Sequence, residues 1–207
     1  IRGAGDLLGG EQSGFINDIG FETYQKILNE AIEELKETEF KSLYNEDINT
    51  KEFVRDVTID TDFSLLFPDD YINNITERLS LYTQLNTLKN EDELQEFERD
   101  LIDRFGAVPT QVVDLLDSVR IKWLATTLGF EKIVLKQQKM VGYFVSDQDS
   151  RFYQSIHFSK VLQYVQEHPK SCTVKEKQMR VGLRLLMRFS TINSVQQGLA
   201  ALKPILA

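Results

Sequence analysis

Cysteine is nearly absent. Cys172 is the single one in the chain, which excludes an intramolecular disulfide and fits a reducing compartment. Histidine is almost as scarce, and His157 and His168 make no zinc spacing with Cys172. Positive charge is in deficit, with 24 Lys and Arg against 32 Asp and Glu and a net charge of −8. A free-standing nucleic-acid binder shows a basic footprint, so the bulk of the chain is not expected to grip phosphate backbones by itself. No apolar run approaches the roughly 20 residues of a membrane span, and no signal peptide is expected. A cytoplasmic location without a membrane partner is expected. The Walker string G-x-x-x-x-G-K-[ST] occurs nowhere.

What is present begins with "IRGAGDLLGGEQSG", which has five glycines in fourteen residues and no initiator methionine. Gly3, Gly5 and Gly9 miss the dinucleotide fingerprint by one residue, and no strand precedes them. A plain flexible loop is one reading of this segment. Leu7 and Leu8 at its centre, with Arg2 and Gln12 as long directed hydrogen-bonding groups, are more than a linker requires. Tyr24, Ile27, Leu28, Ala31 and Leu35 then mark an amphipathic helix. The polar, aperiodic stretch from 40 to 51 reads as a linker.

The remaining residues, with 42% hydrophobic content over the chain as a whole, can bury a core. A strand is expected near Phe53 to Ile59, with Phe53, Val57 and Ile59 on one face. Ile72, Ile75, Leu79, Tyr82 and Leu85 predict a helix, and Asn90 with Glu93 predicts a capping box opening a second. That second helix carries Leu94, Phe97, Leu101 and Phe105 and closes at Gly106. A third opens at Pro109 and Thr110 and carries Val112, Leu116, Val119 and Trp123. "KIVLK" and "MVGYFVS" predict a hairpin joined by Gln137, Gln138 and Lys139. "FSKVLQYVQEH" reads as a helix, "CTVKEK" and "RVGLRLLMRF" as a second strand pair, and "INSVQQGLAALK" as a helix capped by Asn193 or Ser194. Helices cluster and strands gather into hairpins without βαβ alternation. The expected class is α+β with a mainly antiparallel sheet, preceded by the glycine-rich loop and its helix.

No catalytic constellation emerges. His157 and His168 read as structural, and Cys172 as a small apolar residue. The pairs Asp60/Asp62 and Asp69/Asp70 could hold a cation, although a lone acidic pair beside a turn is more often a helix cap or a solvated edge. Asp100 and Asp103 lie three apart on the second helix and share a face, with Asp92, Glu93 and Glu96 adding acid to it. An ordinary solvated face is the alternative there.

"IRGAGDLLGGEQSGFINDIGFETYQKIL" closely resembles the translocation motif of the bacterial transcription-repair coupling factors, and a related pattern occurs in the helicase RecG. "LLFPDDYINNITERLSLYTQL" and "ELQEFERDLIDRFGAVP" resemble the carboxy-terminal domain specific to the coupling factors, and the likeness fades after about Leu135. The resemblance implies that the chain is the tail of a larger ATP-dependent DNA translocase, with ATP and Mg used upstream and no catalysis or cofactor in this part. It implies an end of the translocation motif at 1–40, a linker at 41–51 and a regulatory domain at 52–207.

By the same likeness, Arg2 and Gln12 match positions that couple ATP-driven motion to travel along duplex DNA. Asp100 and Asp103 match acidic positions, the first usually Glu, where the terminal domain closes on the amino-terminal UvrB-like module and masks the surface that recruits UvrA. The implied partners of the parent are that module, duplex DNA, RNA polymerase and UvrA. A free-standing interaction domain with a fortuitous glycine-rich start is the alternative. A nucleotide-binding enzyme using "GAGDLLGG" is a third reading.

Overall fold

Four of the five described helices begin where a short polar side chain meets an apolar repeat, and the third begins after Pro109 without a side-chain cap. A computed structural model describes residues 53–54, 56–179 and 182–206; the glycine-rich segment, its following helix and the expected 41–51 linker lie outside the described residues. Within them, helix α1 spans Ile75–Thr87, α2 Glu91–Phe105, α3 Thr110–Thr127, α4 Ile156–Glu167 and α5 Val195–Leu202. Asn74, Asn90, Ser155 and Ser194 cap α1, α2, α4 and α5 by accepting a backbone N–H from the first turn. Ser194, not Asn193, is thus the α5 cap. Gln197 accepts the Asn193 N–H at 2.8 Å in return, closing a reciprocal box.

Strands β1 (Thr58–Thr61), β2 (Phe130–Lys136), β3 (Lys139–Phe144), β4 (Cys172–Met179) and β5 (Gly182–Phe189) form one sheet in the order β1-β2-β3-β5-β4. Only β1 and β2 pair in parallel, and α1 to α3 form the crossover between them. The expected α+β class with a mainly antiparallel sheet holds. The β2–β3 connection is a two-residue turn with Gln137 at φ 52° and Gln138 at φ 60°, the primed geometry that matches strand twist. Lys139, expected in the turn, is already in β3. Two neighbours hold this uncommon conformation: Asp62 accepts the Gln137 N–H at 3.1 Å, and the Gln138 carbonyl accepts from Ile192 at 3.0 Å.

Two expectations are corrected. The first strand starts at Thr58 rather than Phe53, because its ladder extends only over Lys132 to Leu135 of β2. The residues before it turn Val54 and Val57 into the core without pairing. The apolar stripe of α1 is also placed differently. Ile72 precedes the helix, and Ile75 and Leu79 are 65% and 61% exposed. The core side keeps the expected Ile72, Leu85 and half-buried Tyr82 and takes Leu81 in place of Ile75 and Leu79.

Two apolar clusters result. One joins Phe67, Ile72, Leu81 and Leu85 to Leu94, Phe97 and Leu101 of α2 and to Val112 and Leu116 of α3. The other packs α3, α4 and α5 on one side of the sheet around Phe130, Phe144, Phe152 and Phe158. Helix α3 threads both, through Val112 to Leu116 in the first and Ile121 to Ala125 in the second, where its C-cap Leu128 is also buried. At its end Gly129 has φ 72°, and a Cβ there would lie 2.3 Å from the Phe152 ring.

A candidate interaction surface on helix α2

Helix α2 is built from its ends inward. Asn90 Oδ1 accepts the Glu93 N–H at 2.9 Å, while the Glu93 carboxylate accepts the Lys89 N–H at 2.7 Å and the Asn90 side-chain amide at 2.8 Å. The box is the expected one, shifted so that the acid reaches one residue further back. Glu91, Asp92 and Glu93 in the first turn and Arg104 in the last complement the helix dipole. Gly106 ends the helix at φ 84°, its N–H donating to the Ile102 carbonyl at 2.9 Å. Tyr71, whose ring packs edge-on against Phe105, donates its hydroxyl toward the Leu101 and Gly106 carbonyls and pins this end. Burial raises its phenol pKa above the ordinary value.

The inner face of α2 is Leu94, Phe97 and Leu101. The flank toward α3 is occupied by Arg120. Its guanidinium donates to Glu91 at 2.7 to 3.1 Å and to Asp117 at 2.9 Å, with Glu98 3.9 Å away. Asp117 is only 7% exposed, so Arg120 supplies the charge that makes its burial tolerable. Hydrogen bonds from Arg120 hold the Glu91 carboxyl below its usual range. On the other flank Arg104 pairs with Glu77 of α1. The Arg120 clamp was not foreseen in the sequence; its signal is Asp117 and Arg120 at i, i+3 facing an acid-rich helix.

With Glu91, Glu93 and Glu98 engaged, the acids of α2 sort into two sets. Asp92, Glu96, Asp100 and Asp103 remain, all exposed, and none forms an ion pair among the described residues. Steps of four, four and three residues put them on one face, which exposed Arg99, three residues after Glu96 and four before Asp103, shares without an ion pair to any of them. They make a carboxylate stripe about 16 Å long. Like charges at these spacings cost a few tenths of a kcal/mol per pair. The buried leucines and the caps carry that cost, and a cationic surface laid against the stripe would remove it. Asp100 and Asp103 therefore sit together, accessible, on a rigid element.

The other expected residues are placed as follows. Arg2 and Gln12 lie outside the described residues. Asp60 pairs with Lys132 and Lys136, Asp62 accepts from the β2–β3 turn, and Asp69 pairs with Arg78; these acids serve as structural partners. Cys172 is buried and its thiol is pushed up to about 11 by desolvation, which suits a packing residue. His168 stacks on Tyr164. His157 is half-buried, and desolvation together with the Lys160 charge lowers its pKa. Among the described residues no group of three or more His, Cys, Asp or Glu comes together as metal ligands, and no helix is long and apolar enough to cross a membrane.

Comparison with known proteins agrees with this geometry. The family model of the TRCF domain matches residues 61–155. The crystal structure of the C-terminal domain of transcription-repair coupling factor shares the fold, with a TM-score of 0.57 at 16% identity over 73% of this chain and 92% of that one. Helices packed with a mixed five-stranded sheet are thus the fold of a TRCF domain.

The transcription-repair-coupling factor of Rickettsia typhi is 30% identical over 198 residues, covering 95% of this chain and 16% of the relative. That of Escherichia coli is 40% identical over 133 residues, covering 64% of this chain and 11% of the relative. The chain belongs to the transcription-repair-coupling factor family, and it spans a small part of the length of these relatives.

Proposed function

We propose that this chain is the carboxy-terminal regulatory segment of an ATP-dependent DNA translocase that couples transcription to nucleotide excision repair. In this reading the parent displaces stalled RNA polymerase from duplex DNA and recruits repair proteins in the cytoplasm. The present domain restrains it by closing on the amino-terminal UvrB-like module. The supporting observation is the carboxylate stripe of α2, exposed and without cationic partners among the described residues, within a TRCF domain. Basic groups on the module would supply the complementary potential. Arg2 and Gln12 belong to the translocation motif and transmit lobe motion to DNA travel. ATP and Mg act in the parent, upstream. The described residues do not fit that nucleotide, having no phosphate-cradling loop and no ligand cluster, so no catalytic step is assigned to them.

The test is the full-length parent carrying Asp100→Ala and Asp103→Ala. It is expected to bind UvrA without first engaging polymerase and to show raised basal ATPase activity. A contact worth about 3 kcal/mol turns a state held at about 99% into a minority state when lost. Unchanged UvrA binding and ATPase in the folded variant would leave the stripe as a solvated face.

A further inference from the structure

Among the described residues, the helices of the sheet cluster pack on one side of the sheet, where Ile133, Leu135, Met140, Met187, Phe189 and Cys172 point. Strand alternation sends the other residues of each strand to the opposite side. That outer face carries Val134, Val141 and Tyr143, half-buried, around Leu186, which is fully buried with Tyr143 and Lys175 as its register partners. Around this small apolar centre the charges are almost all positive. Toward β1, Asp60 pairs with both Lys132 and Lys136 and offsets one of their two charges. Toward β4 no such partner exists: Lys139, Lys175, Lys177 and Arg188 make no ion pair among the described residues.

The register sharpens this excess. Lys177 stands directly opposite Arg184, and Lys175 is diagonal to both Arg184 and Arg188. Like charges directly opposed across strands destabilise a sheet. Lysines on the edge strand β4 are an ordinary protection against edge-to-edge pairing, but that role does not extend to Arg184 and Arg188 on the inner strand β5. Arg184 is drawn aside to Glu131, whereas Arg188 is exposed. Along β4 the two lysines are about 7 Å apart, and Tyr143 offers a ring on the inner strand β3 beside them, with the Arg184 guanidinium 5.8 Å from its centroid.

We propose that this outer sheet face binds a single-stranded nucleic acid, with Lys139, Lys175, Lys177 and Arg188 on phosphates and Tyr143 as a base-stacking platform. An aromatic ring among cations on an open sheet serves a strand that carries both phosphates and bases; an acidic polypeptide has use for the cations alone. The net charge of −8 hides this face because the acids are concentrated elsewhere, above all on α2. The proposal rests on sheet residues only and stands or falls separately from the α2 reading.

The test is fluorescence anisotropy of the full chain with a labelled thymidine strand of about 20 nucleotides, a length that spans at least one such binding surface. Saturable binding is expected at low salt, with a salt slope that falls by about 0.7 for each phosphate contact removed. Lys175→Gln with Arg188→Gln should weaken it by about tenfold or more, as lost phosphate contacts do. Tyr143→Leu should weaken the thymidine strand but leave inorganic polyphosphate unaffected. Lys177→Glu provides a control against simple misfolding: it should weaken binding while raising Tm, because it relieves the opposed charges at Arg184. The proposal is overturned by absence of binding at low salt, by binding that the double variant leaves intact, or by a duplex binding as tightly as the single strand. Displacement by polyglutamate as effective as by unlabelled thymidine strand would also overturn it, pointing to an acidic polypeptide instead.

Discussion

The helical half and the sheet half are folded by the same means and finished with opposite surfaces. Each is an apolar cluster closed by capped helices, and α3 belongs to both. The helical half presents α2, with seven acids against two arginines, so its free face is a carboxylate stripe. The sheet half presents unpaired lysines and an arginine across β3, β5 and β4. Net charge averages the two and describes neither. The difference teaches that a partner has to be assigned to a face, since one domain can offer a cation-seeking and an anion-seeking surface on separate elements.

The comparison assumes one cooperative unit with two surfaces, and core substitutions test that first. Phe144 is fully buried and its ring lies within 6 Å of those of Phe130, Phe152 and Phe158. Phe144→Ala should cost about 3–5 kcal/mol. Because α3 spans both clusters, calorimetry should still show one transition at a lower temperature. Two separated transitions would break the domain into independent halves.

Arg120→Ala comes next and acts on the helical half. It leaves Asp117 buried without its cation, at a cost of about 2–3 kcal/mol read from denaturant titration. In the parent sequence, the folded pKa of Glu91 is depressed by Arg120. Its share of stability is therefore present above the ordinary carboxylate pKa and is lost as pH falls through the folded value. The variant should lack that acid-side loss. Equal acid sensitivity in both proteins would place the pH dependence elsewhere.

Asn90→Ala removes the α2 cap and should cost about 1 kcal/mol, seen as faster amide exchange over the first turn of α2 with the sheet unaffected. The smallest effect is expected at Glu176, on the core side of β4 and half-buried, where desolvation raises the carboxyl pKa. Its charge works against folding at neutral pH. Glu176→Gln should stabilise by no more than about 0.5 kcal/mol, the scale of an ordinary surface change. The gain should shrink as pH falls below the raised pKa, where the acid is neutral in the native state. A loss of stability at pH 7 would mean that the carboxylate has a partner in the sheet.

The two halves also differed in how far the sequence could be read. Helices α2 and α3 were legible because their signals are local: Asn90 and Glu93, the Leu94 to Phe105 repeat, Gly106 and Pro109 all act within a few residues. The face of α1 was placed only in part: Tyr82 and Leu85 were read as core, but Ile75 and Leu79 fit a helical stripe as well as Leu81 does. Only packing against α2 chooses between them. In the sheet half both hairpins were legible, the first as two β-rich runs joined at Gln137 and Gln138 and the second as a pair of β-rich runs. The parallel β1–β2 pairing was not, because residues 74 apart in sequence carry no mutual signal. The basic face was legible only in part. Thr173, Lys175 and Lys177 alternate visibly with Cys172, Val174 and Glu176, but alternation does not say which strands share a side. The carboxylate stripe was anticipated at Asp100 and Asp103. What required structure was learning that Glu91, Glu93 and Glu98 are already engaged.

The central claim is that the two surfaces serve different partners, with α2 facing the UvrB-like module. The most direct measurement is titration of this chain against that module as a separate protein, comparing Asp100→Ala/Asp103→Ala with Lys175→Gln/Arg188→Gln. The account predicts that the α2 variant loses about 2–5 kcal/mol of binding if the pairs are buried at the contact, while the sheet variant binds as the unaltered chain does. Binding unchanged by the α2 variant, or lost equally in both, would contradict it.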